Sequence, residues 1–200
     1  MFTRTESFQQ FVKLYPAVST LLMLNIILFL LSLLPVFPNK MIFELGSGYN
    51  RAIADGEWWR LITSIFLHRS FSHLLLNCFS MVILAPTLER MLGRISFFIF
   101  FMAVGTAANL ATYIINPLSF SHIGASNAIL GVLGFYLYMA LFHKKRLSRQ
   151  NTVTVYALTA LSVIMTFMQP EINHVGHLSG LAAGIVFASF FQKKISHFWF

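Results

Sequence analysis

The sequence predicts an all-α membrane protein, a bundle of six transmembrane helices with a long first external loop. Of its 200 residues, 57% are apolar and 10% are charged, whereas soluble domains carry about 25% charged residues. Apolar windows close to the ~20 residues that a bilayer core requires recur six times. Helices are the expected spanning form, because lipid offers backbone N–H and C=O groups no water partners.

These windows predict one polytopic membrane domain over residues 1–200, with no room for a second domain. The first window ends without a small-residue cleavage site, so we expect an uncleaved span and not a signal peptide. The predicted spans lie at about residues 17–35, 73–92, 95–115, 125–142, 152–167 and 175–191.

The positions of Lys and Arg predict how the spans are oriented. The net charge is +8, but the basic residues lie mainly in short loops, a pattern that reports topology and does not indicate a nucleic-acid partner. With the N-terminus in the cytoplasm, most of these residues fall inside, and the external ones all lie in the first loop. We therefore expect a multi-pass protein surrounded by the lipid bilayer, with both termini cytoplasmic.

The first external loop, residues 36–72, is longer than a simple connection requires, and long loops are often functional. Its segment 57–67 mixes Trp59 and Arg60 with apolar residues, which is typical of a stretch lying in the membrane interface. Packing on the tops of the helices is an equally open interpretation, and the two are compatible.

Polar side chains recur near the outer ends of three predicted spans. His73 and Asn77 lie in the first two turns of the second span. Ser126 begins the fourth span and His177 begins the sixth. All three spans run from outside to inside, and a rise of about 1.5 Å per residue keeps the four side chains within a few turns of one surface. Because ionisable groups in lipid are costly, we expect the serine and the histidine to meet.

Glycines predict how the helices approach each other. His177, Gly180 and Gly184 share one face of the sixth span, while Gly131 and Gly134 lie further down the fourth. Small residues let membrane helices pack backbone to backbone. Contact between these two faces would bring the serine within hydrogen-bond reach of the histidine.

A serine beside a histidine predicts nucleophilic catalysis, since His is the usual base that activates a hydroxyl near neutral pH. The developing oxyanion needs hydrogen-bond donors. His73 and Asn77 are candidate donors, and the backbone N–H of Ser126 at a helix N-terminus is another. None of the six Asp and Glu residues lies in the outer half of a predicted span. A Ser–His dyad is therefore the most that the sequence supports.

In combination, these motifs resemble the rhomboid family of intramembrane serine proteases, in their compact six-span bacterial form. The motifs span residues 57–184 in the family's order and spacing. The matching residues are Trp59-Arg60, His68, His73, Asn77, Gly124-Ala125-Ser126, Gly131, Gly134, His177, Gly180 and Gly184.

The resemblance implies that Ser126 is the nucleophile and His177 the base. It further implies that His73, Asn77 and the backbone N–H of Ser126 form the oxyanion hole. The remaining matches would have structural or supporting roles, for His68 a structural hydrogen bond; they are His68, Trp59, Arg60, Gly124, Gly131, Gly180 and Gly184.

The family cleaves membrane-anchored proteins in or beside their transmembrane segments, near the outer face in bacteria, using water and neither cofactor nor metal. The implied partners are such substrates and the lipid bilayer. Two positions close to the serine in sequence depart from the family's pattern. Asn127 stands where a glycine usually follows the serine, and Leu130 stands where some members carry an aromatic residue against the histidine.

Two other classes of function stay open at this point. A proteolytically silent rhomboid-like protein could bind or escort membrane clients with the same bundle. A metal site or transporter is a third hypothesis, because zinc accepts nitrogen ligands and several histidines lie near the same ends of the spans. Its candidate ligands are His68, His73, His174 and His177, with Glu171 the nearby carboxylate.

Overall fold

The computed structural model describes residues 1–34, 39–168 and 172–196, and this part of the chain is predominantly helical. Short 3₁₀ turns follow α5, α8 and α10, and two short strands, β1 (Gly48–Tyr49) and β2 (Ser121–His122), accompany the helices. The helices are α1 (Phe8–Leu14), α2 (Pro16–Leu33), α3 (Asn39–Gly46), α4 (Asn50–Ala54), α5 (Arg60–Thr63), α6 (Phe71–Leu92), α7 (Arg94–Ile115), α8 (Ser126–Phe142), α9 (Arg149–Met168), α10 (His174–Ala188) and α11 (Gln192–Ser196).

Within the described chain, five helical stretches are long and apolar enough to cross a membrane by length and composition. They are α2, α6, α7, α9 and the run His174–Ile195, while α8 is apolar but has only 17 residues. The all-α membrane fold is thus confirmed. A helix lies over each predicted span, except that Pro35, the predicted end of the first, lies outside the described residues. The number of crossings and the single domain stay predictions.

The short helix α8 lies at the centre of the bundle, in contact with α6, α7, α9 and α10. Most of its side chains are buried, and Phe135 and Tyr136 pack with Phe100 and Phe101 of α7 in the main apolar core. Because other helices enclose α8, apolar residues occur on all of its faces and it is not amphipathic. Ser126 is the first residue of this central helix.

The N-terminus of α2 is joined to the far end of α6 by a buried carboxylate. Glu89 accepts hydrogen bonds from the backbone N–H groups of Ala17 and Val18, at 2.9 and 2.8 Å. Pro16 occupies the first helical position, where no N–H is needed. The carboxylate satisfies two N–H groups that a helix start leaves unpaired, so Glu89 has a structural role away from Ser126.

The segment between α2 and α6 is folded from residue 39 onward, while residues 36–38 of the predicted first loop lie outside the described residues. Its strand β1 pairs antiparallel with β2, with Gly48 opposite His122 and Tyr49 opposite Ser121. Asn50 adds a side-chain bond to the carbonyl of Pro117, at 3.1 Å. This segment is thereby attached to the chain that leads into α8.

Candidate active site

The side chains of Ser126 and His177 are in hydrogen-bond contact between two helices. Ser126 is the first residue of α8, and His177 lies in the first turns of α10. The serine Oγ is 2.9 Å from the histidine Nε2. This is the distance at which an imidazole can take a proton from a hydroxyl, and the contact expected from the sequence is present.

Glycine backbones set the separation of α8 and α10. A Cβ added to Gly180 would overlap the carbonyl of Asn127, and one added to Gly184 would overlap the carbonyl of Gly131. A Cβ on Gly134 would likewise overlap the carbonyl of Leu181. No side chain larger than hydrogen fits at these points, so the glycine face predicted from the sequence is the seam between the two helices.

The start of α10 is fixed by a polar cap. The Asn173 side chain accepts a hydrogen bond from the N–H of Gly176 at 2.9 Å, which satisfies one of the free donors at the helix start. Its amide nitrogen donates to Thr112 of α7, also at 2.9 Å. The helix that carries His177 is therefore tied to α7 as well as to α8.

The second ring nitrogen of His177 contacts α9. Nδ1 lies 2.9 Å from Oγ1 of Thr166, a residue that is 1% exposed. The same hydroxyl lies 2.7 Å from the carbonyl oxygen of Ser162. The imidazole is thus hydrogen-bonded through both nitrogens, and Thr166 is a partner that sequence reasoning missed.

The turn before Ser126 depends on Gly124. Its φ of +119° is a conformation that residues with a Cβ rarely adopt. Its N–H donates to the carbonyl of Ser64 at 2.8 Å, and a Cβ here would lie 2.6 Å from Nε2 of His73. Glycine is required both for the backbone conformation and for the approach of the histidine ring.

His73 and Asn77 of α6 face this turn from the side. Nε2 of His73 lies next to the position that a Cβ on Gly124 would occupy. Nδ2 of Asn77 lies 3.9 Å from the same position. Nδ2 of Asn77 also donates to the carbonyl of His73 at 2.9 Å. An amide nitrogen has two N–H donors, so the bond to the His73 carbonyl leaves the second N–H of Asn77 unused.

His68 lies behind His73 and is almost fully buried. The two rings meet edge to face, with centroids 5.0 Å apart. Burial, reinforced by the positive charge that His73 can carry, lowers the pKa of His68 to about 4, so the ring is neutral near pH 7. This ring packing is a supporting contact behind His73, and the structural hydrogen bond expected for His68 stays a prediction.

Asn127, at the position after the serine, belongs to a buried amide network. Its Nδ2 donates to Oδ1 of Asn109 on α7 at 2.8 Å. Nδ2 of Asn109 in turn lies 2.8 Å from the carbonyl of Leu61 and 3.1 Å from Oγ of Ser64. The residue that departs from the family's glycine therefore joins α8 to α7 and to the first segment.

Trp59 and Arg60 organise the segment between α2 and α6. Trp59 donates to the carbonyl of Leu45 at 3.0 Å. Arg60 is 4% exposed, pairs with Glu57 and donates to the carbonyl of Ser47 at 2.9 Å. These contacts lie within the segment itself, so both residues support the fold and do not touch the Ser126–His177 pair.

The described residues contain no cluster of side chains that would support the metal hypothesis. No group of three or more His, Cys, Asp or Glu side chains there could hold a metal ion. His174 packs against Phe167 instead, with ring centroids 5.5 Å apart. Glu171, the carboxylate considered for such a site, lies outside the described residues.

Asn109, Ser64 and Thr166 were not identified from the sequence. The available signal was weak: a polar residue within an apolar window, as Asn109 and Thr166 are. Hydroxyls in helices commonly bond to their own backbone, so Thr166 alone gives no indication of a partner on another helix. Pairing it with His177 requires the packing of α9 against α10.

Comparison with known proteins gives a consistent family assignment. The Rhomboid domain model matches residues 55–194. The protein named "Putative rhomboid protease YdcA" of Bacillus subtilis (strain 168) is 42% identical over 194 residues, which cover 97% of this chain and 98% of that protein.

Two longer proteins match over part of their length. "Rhomboid protease GluP" of Bacillus subtilis (strain 168) is 32% identical over 76% of this chain and 29% of its own length. "Rhomboid-like protease 1" of Toxoplasma gondii is 29% identical over 82% of this chain and 57% of its own.

Proposed function

The chain belongs to the rhomboid family and is a multi-pass membrane protein, and from this premise we propose that it is a serine endopeptidase working through a Ser126–His177 dyad. The observation that carries the proposal is the 2.9 Å contact between Ser126 Oγ and His177 Nε2. Proteins named as rhomboid proteases are similar to it, which supports the same class of reaction.

In the proposed reaction, Ser126 Oγ attacks the carbonyl carbon of the scissile peptide bond while Nε2 of His177 takes the hydroxyl proton. The imidazolium then gives that proton to the leaving amine, and an ester of Ser126 remains. Water enters, and His177 takes one of its protons as the water oxygen bonds to the ester carbon. The bond between that carbon and Oγ then breaks, the imidazolium returns the proton to Oγ of Ser126, and the carboxylic acid leaves.

The oxyanion of each tetrahedral intermediate requires donors fixed in advance. We assign this role to the side chains of His73 and Asn77 and to the backbone N–H of Ser126. The position of both side chains beside the Gly124 turn supports the assignment, since that turn leads directly into the serine. Asn77 uses one amide N–H for its bond to the His73 carbonyl, so its other N–H can be donated to the oxyanion.

The substrates of the proposed enzyme are membrane-anchored proteins, cut in or beside their transmembrane segments. A helical substrate engages its carbonyls in i to i−4 bonds, so segments with Gly, Pro or other helix-weakening residues should be preferred. A rigid poly-Leu span cleaved at the same rate would contradict this preference.

We further propose a bacterial plasma membrane location, with both termini in the cytoplasm and no cofactor in the reaction. Labelling of single cysteines, placed at the termini and in the 116–124 connection of a Cys78-free variant, tests this orientation in intact cells. Termini accessible from outside would refute it.

Replacing Ser126 with Ala tests the nucleophile. Cleavage of a single-span reporter protein in proteoliposomes should fall by about a thousandfold or more, because the hydroxyl is the attacking group. Ser121→Ala, at an exposed serine of β2, is the matched control and should cleave normally. Undiminished cleavage by S126A refutes the assignment.

A fluorophosphonate probe separates the protease from the silent binder. The probe should label the wild type at Ser126, and it should fail to label S126A and His177→Ala. Absence of labelling in the folded wild type would favour a protein that only binds membrane clients.

A further inference from the structure

We propose that Thr166 is a positioning residue that holds His177 in the tautomer with its proton on Nδ1, so that Nε2 is free to act as base toward Ser126. The inference rests on the proposed function of the Ser126–His177 pair. It means that a third helix, α9, helps to position the reacting side chains.

The hydrogen-bond geometry at Thr166 determines which atom carries which proton. Its Oγ1 lies 2.7 Å from the carbonyl oxygen of Ser162 and 2.9 Å from Nδ1 of His177. A carbonyl oxygen can only accept, so the single hydroxyl proton of Thr166 is given to Ser162. Oγ1 then offers lone pairs to the imidazole, and Nδ1 must be the donor.

The protonation of Nδ1 determines the role of Nε2. A neutral imidazole has one N–H and one bare nitrogen, so a proton on Nδ1 leaves Nε2 as an acceptor. Nε2 is the atom 2.9 Å from Ser126 Oγ, and the serine hydroxyl must donate to it. In the opposite tautomer Nδ1 would carry no proton. It would then face Oγ1 of Thr166, whose single proton is already donated to the carbonyl of Ser162.

The same contact remains useful when the ring becomes charged. During attack, the proton of Ser126 moves to Nε2 as the bond between Oγ and the substrate carbon forms. The proton on Nδ1 stays where it is, and Thr166 neither gains nor loses one. Oγ1 of Thr166 accepts from the imidazolium, a charge-assisted bond that is stronger than one to the neutral ring.

Thr166 is distinguished from the other hydroxyls of its helix. Thr152, Thr154 and Thr159 also donate to the carbonyl four residues earlier, but each is more accessible than Thr166. Among the described residues of α9, Thr166 and Val155 are the buried ones. A buried hydroxyl with a second partner on α10 is thus specific to this position.

The kinetic test compares three variants in proteoliposomes with a fluorogenic single-span substrate. Thr166→Val keeps the shape but removes the acceptor, so kcat should fall about tenfold or more with KM unchanged within about twofold. Thr166→Ser restores the hydroxyl and should recover most of kcat. Thr159→Val makes the same chemical change on the same helix without touching His177, and it should behave as the wild type.

A spectroscopic test reads the tautomer without relying on turnover. Nitrogen NMR of the protein labelled in its histidine rings, with His177 assigned by its loss in His177→Gln, should show a protonated Nδ1 and a bare Nε2 in the neutral wild-type ring. In T166V the signals should move toward the opposite tautomer or a mixture. A wild-type ring protonated on Nε2 overturns the proposal, even if T166V does not fold.

The outcomes separate this inference from the proposed function. If S126A is inactive while T166V matches the wild type in kcat and tautomer, the positioning role is refuted and the protease stands. If S126A still cleaves, the protease assignment fails, and the NMR result alone decides the tautomer. Loss of activity in T166S as large as in T166V would indicate a packing role and also overturn the proposal.

Discussion

Ser126 and His177 are held in contrasting ways. The turn that carries Ser126 is tied to the first segment and to α7 by the Gly124–Ser64 bond and the Asn127–Asn109 network. The helix that carries His177 packs against α8 along the glycine seam, and the ring of His177 contacts one hydroxyl from α9. The nucleophile is thus fixed by several contacts of its turn, and the base by close backbone packing and, besides its bond to Ser126, one hydrogen bond to Thr166.

The positions of the reacting atoms and the protonation of the His177 ring are thus controlled by different parts of the molecule. Backbone packing at the seam sets where the two reacting atoms lie, and it has no influence on which nitrogen carries the proton. A hydrogen-bond partner is needed for that, and α9 supplies it. Substitutions at the seam should therefore affect folding and activity together, while those at Thr166 should affect kcat alone.

The largest effect is expected from breaking the seam. Gly184→Val introduces a side chain where even a Cβ would overlap the carbonyl of Gly131, so α10 must move away from α8. We expect a loss of about 3 kcal/mol in the free energy of unfolding, together with loss of cleavage. Thermal unfolding in detergent and the reporter assay measure the two.

Ala182→Val is the control for the seam, because Ala182 lies on the exposed side of the same helix. It should change neither property measurably. A G184V protein with wild-type stability and activity would contradict the role given to the glycine seam.

The second prediction concerns the turn before the serine. Gly124→Ala should lower kcat about a hundredfold, because the new Cβ would displace the His73 ring that we assign to the oxyanion hole. Gly56→Ala is a matched control: Gly56 also has positive φ, +105°, but nothing lies within 4 Å of its added Cβ.

Both alanine variants should lose about 1–2 kcal/mol of stability from backbone strain alone, as judged by unfolding in detergent. Equal loss of kcat in the two would show that strain, and not displacement of His73, is responsible.

The third prediction sharpens the contrast on the serine side. Asn109→Ala removes the partner of Asn127 and also the donors to Leu61 and Ser64, so it should cost about 1–2 kcal/mol of stability. Asn127→Ala removes one of these bonds and should cost less. A double-mutant cycle should give a coupling energy of about 1 kcal/mol, and strictly additive effects would argue against the network.

The smallest predicted effect is a pH dependence at His68. Burial lowers its pKa in the folded protein to about 4, against an ordinary value of 6.5. Between these values the unfolded chain binds a proton that the folded protein does not, so stability is fully present above pH 6.5 and is lost as the pH falls toward 4. The loss should reach about 1 kcal/mol near pH 5.5.

His68→Gln should flatten this pH dependence of unfolding in detergent. His122, whose pKa is also lowered to about 4 by burial, provides an independent comparison, and His122→Gln should flatten the slope to a similar degree. An unchanged slope in H68Q would mean that the folded protein binds a proton at His68 more readily than its burial implies.

Much of the fold follows from features that are local in sequence. Apolar windows and their lengths predict the helices, and the glycine spacing at Gly180 and Gly184 predicts which face of α10 is packed. The proposal for Ser126 and His177 came from their positions at the starts of two windows. The partners Thr166 and Asn109 did not follow in this way, because each is one of several polar residues along its helix and no pattern distinguishes it from the others.

Hydropathy and motif spacing are enough to indicate an all-α membrane protein and to identify the residues proposed to react. Hydropathy and glycine spacing act over a few turns, so they can be read along one helix. The contact of Thr166 with Nδ1 of His177, and the link from Asn127 through Asn109 to the first segment, become visible in the folded bundle. Such contacts depend on the relative rotation and tilt of separate helices, which result from the packing of the whole bundle.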